Sequence, residues 1–234
     1  MLLQRVLTAI ALLAVLLPAL FYPSPEPFAA VILILIAAAG WEWARLNGAG
    51  SRGALFAGVA CFAVCTAAWV AGWLSPAFPA QWLWVFCALM WVAGGSWTLH
   101  RGVPQWVHLP ASVRLLTGLL LLCLTWLAAA KARVTGVNFL LSALALVWAA
   151  DIFAYFAGRA FGGKVMPGRL APSISPGKSW EGVWGGMAAV LLLALGWCWL
   201  DAAFAVDTPS LFSRLRTLGW GPMVLALVFL TAMS

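Results

Sequence analysis

The sequence predicts an all-α, polytopic integral membrane protein with about eight transmembrane helices, the last of them incomplete. Three observations predict it. Hydrophobic residues make up 65% of the 234 and charged residues 8%, and the mean hydropathy is +1.03. A soluble domain carries about 25% charged residues, so there is too little polar surface here to coat a globule in water. The apolar residues gather into runs that approach the roughly 20 residues a spanning helix needs. Of the sixteen tryptophans, Trp41, Trp43, Trp82, Trp84, Trp97 and Trp180 sit near run ends, where an interfacial aromatic belt places them.

The runs cover residues 6–22, 28–45, 54–74, 82–99, 114–130, 138–158, 183–200 and 221–234. They must be helices, because backbone amides in hydrocarbon have to be satisfied within the segment. The first follows Arg5 as a secretory signal would. It lacks an A-x-A-like cleavage site and further spans follow, so an uncleaved first helix is expected. Near the end of the second, Glu42 stands one turn before Arg45, and the two are expected to pair. The last run begins near Pro222. At about 13 residues it would reach about 20 Å, short of a hydrocarbon core of about 30 Å. The whole reads as one membrane domain, residues 1–136 forming N-terminal helices and 137–234 a partial catalytic region.

A net charge of +7 would suggest nucleic acid in a soluble protein. Here the basic residues sit between apolar runs and read as topology, so no nucleic-acid partner is expected. Alternating the loops puts Arg5, Arg45, Arg52, Arg101, Arg114, Arg159, Lys164, Arg169 and Lys178 on one side, and Lys131, Arg133, Arg214 and Arg216 on the other. The richer side is expected to be cytoplasmic. The five cysteines all lie inside apolar runs without a C-x-x-C pair, which favours packing over a metal or disulfide framework. His100 and His108, beside Arg101, suggest neither a metal nor a catalytic triad.

Chemistry is concentrated between Asp151 and Glu181, where Arg159, Lys164, Arg169 and Lys178 also lie. Asp151 closes the apolar run LSALALVWAA. A carboxylate there is costly unless paired, hydrated or bound to a cation. It reads either as a Mg²⁺ ligand or as a helix-end charge in the headgroup layer. Arg159 and Lys164 flank the glycines that end the helix, and fit phosphate contact and positive-inside anchoring equally. Gly158/Gly162 and Gly182/Gly186 form two G-x-x-x-G patterns, read as helix packing. Ser173, Ser175 and Ser179 with Lys178 surround a Pro-Gly turn and make a phosphate grip. Ser179 also fits the N-cap of the next helix, with Glu181 favoured by the helix dipole. Gly177-Lys178-Ser179 resembles the end of a Walker A loop, but Pro172 stands where a glycine is needed and a membrane helix precedes it; a P-loop is excluded.

The strings A-D-I-F-A-Y-F-A-G-R-A-F-G-G-K (150–164) and L-A-P-S-I-S-P-G-K-S-W-E-G (170–182) closely resemble the bacterial phosphatidate cytidylyltransferases, or CDP-diacylglycerol synthases. The resemblance implies transfer of a cytidylyl group from CTP to phosphatidate in the bacterial cytoplasmic (inner) membrane, with the active-site loop facing the cytoplasm. It implies Mg²⁺, alone or with a second cation, and a homodimer. On that reading Asp151 and Lys178 are catalytic, Asp151 is also the metal ligand, and Lys164, Ser173, Ser175, Ser179 and Arg159 bind substrate. The family's longest signature, S-x-x-K-R-x(4)-K-D followed by H-G-G-x-x-D-R-x-D, would start where the chain stops at Thr231-Ala232-Met233-Ser234. The resemblance therefore implies a chain cut before that signature and inactive on its own. A CTP-dependent lipid or polyprenol kinase is the enzymatic alternative. A membrane transporter or scaffold is the non-enzymatic one, disfavoured because the polar cluster lies outside the spans.

Overall fold

The computed structural model describes residues 2–101, 108–166 and 177–233. Among them there is no strand. The helices are α1 (Leu2–Phe21), α2 (Glu26–Leu46), α3 (Ser51–Val70), α4 (Gln81–Arg101), α5 (Ala111–Thr135), α6 (Val137–Phe161), α7 (Trp180–Ala203), α8 (Leu211–Arg216) and α9 (Trp220–Met233). Each of the eight apolar runs falls mainly on a helix, the third running past α3 into the turn at 71–74, and α8 is additional. Five helices, α2, α3, α5, α6 and α7, are long and apolar enough to cross a membrane; α1 and α9 carry the shorter apolar stretches Val6–Phe21 and Trp220–Ala232. The chain is a multi-pass, all-helical membrane protein.

It divides into two compact units, residues 1–87 with 107–137, and residues 88–106 with 138–234. In the first, α2 packs against α1, α3 and α5. Ala29, Leu33 and Ile36 of α2 recur at helical spacing and meet Cys61 and Cys65 of α3 and Trp126, Leu127 and Ala130 of α5. The two thiols are thus core packing, as their spacing suggested. Small residues bring α2 and α3 close: a Cβ on Gly58 would stand 2.9 Å from the Ala37 carbonyl oxygen. Gly48, at φ +85, supplies the left-handed turn between them. Trp126, fully buried, donates its indole N–H to the Ala29 carbonyl at 3.0 Å.

Several basic residues counted as loop charges are instead inside helix ends. Arg133, in the last turn of α5, is only 7% exposed. Its Nε donates to the Leu20 carbonyl at 2.8 Å and its Nη2 to the Tyr22 carbonyl, so it satisfies the otherwise orphaned C-terminus of α1. Arg133→Ala should destabilise the protein by about 2–3 kcal/mol, the scale of a charged hydrogen bond left unmade, read as a lowered SDS-unfolding midpoint in mixed micelles. Arg45 does not pair with Glu42. Its guanidinium lies 5.1 Å from the Trp41 ring centroid, where a flat cation on an aromatic face gains without desolvating a carboxylate.

In the second unit, α7 buries one stripe at four-residue steps: Gly182, Gly186, Val190, Ala194 and Cys198. It faces Leu146 and Ala150 of α6, and Phe212 of α8 with Met223 and Leu227 of α9 complete the core. Gly182, Gly185 and Gly186 are the tight points: a Cβ on Gly185 would run into the Ala157 Cβ. A Cβ on Gly182 or Gly186 would stand 2.9 Å from a carbonyl oxygen of α6, that of Ala154 and Ala150 respectively. The second G-x-x-x-G is a helix-packing site.

Candidate functional site

The site lies where α6 ends and α7 begins. Apolar helix formers carry α6 through Phe161, and Gly163, at φ +74, breaks it. The last turn closes with the Gly162 amide on the Gly158 carbonyl and the Lys164 amide on the Phe161 carbonyl, both at 2.9 Å. Lys164 folds back, its Nζ donating to the Ala160 carbonyl at 2.7 Å, so a cation meets the negative end of the helix.

Ser179 is the N-cap of α7: its extended backbone lets Oγ accept from the Gly182 amide at 3.2 Å. That hydroxyl also fills the space over two glycines of α6, since a Cβ on Gly158 or Gly162 would come within 3.2 Å of it. The first G-x-x-x-G therefore receives a capping side chain.

Glu181 fastens the two ends of the segment together. It is 8% exposed, and its Oε1 accepts from the backbone amides of Val165 at 3.2 Å and Met166 at 3.0 Å. Its Oε2 is buried and makes no hydrogen bond among the described residues. In the sequence Glu181 has only a helix-dipole role. An acid in the first turn after a Pro-Gly turn is the available signal, but nothing local shows that it reaches back sixteen residues.

Asp151 is not at a helix end. Ten further helical residues follow it, about 15 Å at 1.5 Å per residue, because IFAYFAGRAF is as apolar and helix-compatible as what precedes it. It is exposed and makes no hydrogen bond or ion pair among the described residues. It lies on one face with Tyr155 and Arg159 at four-residue steps, and Arg159 Nη1 donates to the Tyr155 hydroxyl at 3.0 Å. Arg159 is thus a residue of α6, not of the loop. Ser179 meets α6 at Gly158, seven residues beyond Asp151, so about 10 Å of helix separates their levels.

The structure therefore brings Lys164, Ser179 and Glu181 to one junction. It places exposed Lys178 next to Ser179, and leaves Asp151 about two turns away along α6. Ser173 and Ser175 lie outside the described residues, as does Arg169. What remains can attract an anion. The amides of the first turn of α7 have no carbonyl of their own helix to bind, and the lysines on either side add charge.

A model of the cytidylyltransferase family matches residues 3–234. The chain belongs to the cytidylyltransferase family. It is 38% identical over 198 residues to a phosphatidate cytidylyltransferase of Pseudomonas aeruginosa, an alignment covering 80% of this chain and 67% of that one. Proteins of the same name from Haemophilus influenzae and Brucella abortus are 58% identical over 59 residues and 43% identical over 84. Those alignments take in 25% and 36% of this family member, and 19% and 25% of the relatives. No solved structure matches it.

Proposed function

We propose that this chain is a phosphatidate cytidylyltransferase. The observation that carries the reading is the 38% identity to the Pseudomonas protein over 80% of the chain. In the reaction a phosphate oxygen of phosphatidate attacks the α-phosphorus of CTP. The new P–O bond forms as the bond to the β-phosphate bridging oxygen breaks, giving CDP-diacylglycerol and pyrophosphate. Such a transfer needs positioning and charge neutralisation more than covalent help from the protein. Lys178 and the first turn of α7 are suited to the triphosphate, with Lys164 on the facing turn and Ser179 fixing the helix start between them. Arg159, exposed on α6, is suited to a lipid phosphate. Ser173 and Ser175 complete the grip in this reading.

The residues also suit Mg²⁺, which takes one or two carboxylates and fills its remaining positions with water and phosphate oxygens. Asp151 offers an exposed carboxylate without a partner among the described residues, on a membrane helix where an idle charge is costly. Asp151 would hold the ion, and Mg²⁺ when bound supplies neutralisation of phosphate charge. We place the α6–α7 segment on the cytoplasmic side of a bacterial inner membrane, because the basic residues favour that side nine to four and CTP is a soluble nucleotide. A homodimer is part of the reading, with chemical cross-linking in membranes as its check.

Binding of CTP to the purified chain in phosphatidate-containing micelles tests the site. CTP should bind in preference to ATP, and Lys178→Ala should weaken it about 10- to 100-fold, the worth of one charge-assisted contact. Equal binding of ATP, or undiminished binding by the variant, would remove the assignment. Where label turns over, pyrophosphate release with the α-phosphate in lipid supports cytidylyl transfer. CDP release with the γ-phosphate in lipid would make the chain a kinase.

A further inference from the structure

Helices α2 and α3 are joined by residues 47–50 alone and pack side by side as a hairpin. Arg45, at the end of one, and Arg52, at the start of the other, therefore stand at the same end of it. Below them the hairpin carries a groove of about 310 Å³. Small residues open it. Ala37, Ala38 and Gly58 line it with almost no side chain, and the backbones approach until a Cβ on Gly58 would stand 2.9 Å from the Ala37 carbonyl oxygen. Its bulk comes from Trp41 of α2 and from Leu55 and Phe62 of α3, all exposed.

Helical register ties the arginines to this groove. Arg52, Leu55, Val59 and Phe62 follow one another at steps of three or four residues, and so do Ala38, Trp41 and Arg45. Each arginine heads the row of lining residues on its own helix. From Leu55 to Phe62 is about 10 Å of helix, which fits within one half of a hydrocarbon core of about 30 Å.

Both arginines are exposed and neither is neutralised. Glu42 does not line the groove, and Arg45 turns from it to the Trp41 ring. A guanidinium held on an aromatic face keeps its N–H edge for bidentate pairing with a phosphate. Arg52 makes no hydrogen bond or ion pair among the described residues. Two cations above an apolar groove complement an acyl chain that carries a phosphate. A soluble anion would leave the groove unfilled. A second copy of the chain, packed groove to groove about a two-fold axis, would bring these arginines towards their own copies.

We propose that the α2–α3 hairpin holds one anionic phospholipid, its acyl chain in the groove and its phosphate between Arg45 and Arg52. The site draws on no residue of α6 or α7, so it stands or falls apart from the nucleotide reading.

Phosphatidylglycerol, which is not a substrate of the proposed reaction, is the probe. It is titrated into the purified chain in dodecylmaltoside micelles, and bound lipid is counted by native mass spectrometry beside phosphatidylcholine of the same acyl chains. The unaltered chain should bind phosphatidylglycerol about 30-fold more tightly, the worth of two basic residues at a lipid surface. Arg45→Gln combined with Arg52→Gln should abolish that preference. Arg214→Gln combined with Arg216→Gln, an equal loss of charge elsewhere, should keep it. Ala38→Leu narrows the groove and leaves both arginines; it should weaken phosphatidylglycerol about threefold or more as carbon contacts to the chain are lost. Inorganic phosphate should not displace the lipid.

Equal binding of the two lipids by the unaltered chain would overturn the proposal. So would a preference that survives in the Arg45 and Arg52 double variant, or one that disappears in the Arg214 and Arg216 double variant, since bulk charge would then explain it. Displacement by inorganic phosphate would reduce the site to an anion site and overturn the lipid. Phosphatidylglycerol affinity unchanged by Ala38→Leu would remove the groove from the site, and a fall from dimer to monomer in that variant would assign the groove to a second copy instead.

Discussion

Asp201→Ala will lower unfolding stability by about 3–5 kcal/mol, the cost of losing several hydrogen bonds to one buried carboxylate and leaving their donors unpaired. SDS unfolding in mixed micelles, followed by tryptophan fluorescence, checks it. Asp201 is 9% exposed at the far end of α7 from the candidate site. Its Oδ1 accepts from Asn138 Nδ2 at 2.9 Å. Its Oδ2 accepts from the Ser210 amide at 2.9 Å, from the Ser213 hydroxyl at 2.6 Å and from the Ser210 hydroxyl. Asn138 is itself fixed, donating to the Thr208 carbonyl and accepting from the Trp197 indole. The network joins the start of α6, the end of α7 and the start of α8, and alanine leaves its donors facing a void. Asp201→Asn will not rescue it fully. Either orientation of the new amide points an NH₂ at an obligate donor, the Asn138 amide or the Ser210 N–H. Turning Asn138 to compensate would forfeit both of its other bonds.

The helices were legible because apolar length marks them, and every apolar run falls mainly on a helix; of the eight spans expected, five are long and apolar enough to cross a membrane, and α4 is not among them. The Ser179 cap was legible too, since capping is a local contest between a side chain and the next few amides. Contacts made at long range were not. Arg133 reaches carbonyls more than a hundred residues earlier, and in the sequence it reads as an ordinary helix-end charge. Asp201 and Ser210 sit in what reads as a polar connection, yet Ser210 caps α8 and both are buried. Helix α8 itself is too short to show periodicity and is defined by that cap and by Phe212 entering the core. Asp151 was misplaced for a different reason: a single charge does not end a helix when ten compatible residues follow. In the site, residue types singled out Lys164, Lys178 and Ser179, but Glu181 bridging back to the 165–166 turn is a tertiary fact.

Gly182→Val will separate α6 from α7 and weaken nucleotide binding together with stability. The first atom of any side chain there would come within 2.9 Å of the Ala154 carbonyl oxygen, with the Gly158 Cα at 3.6 Å behind it. Both are backbone, so no rotamer change relieves the contact and the helices must part. Overpacking of this kind costs about 1–3 kcal/mol for an added methylene or so, and a branched side chain falls at or beyond the upper end. The Ser179 hydroxyl lies 3.6 Å from the same point, so the cap, the Gly158 contact and the Glu181 bridge all shift with it. CTP affinity should therefore fall at least about tenfold, the result of losing about 1.4 kcal/mol of site organisation. Gly196→Ala tests whether position rather than glycine itself is responsible. Gly196 lies on the same helix, and a Cβ added there would meet nothing within 4 Å. Alanine should leave CTP binding intact and raise stability by up to about 1 kcal/mol through helix propensity. If Gly182→Val kept full stability and CTP affinity, the close α6–α7 approach would not be what holds the site together.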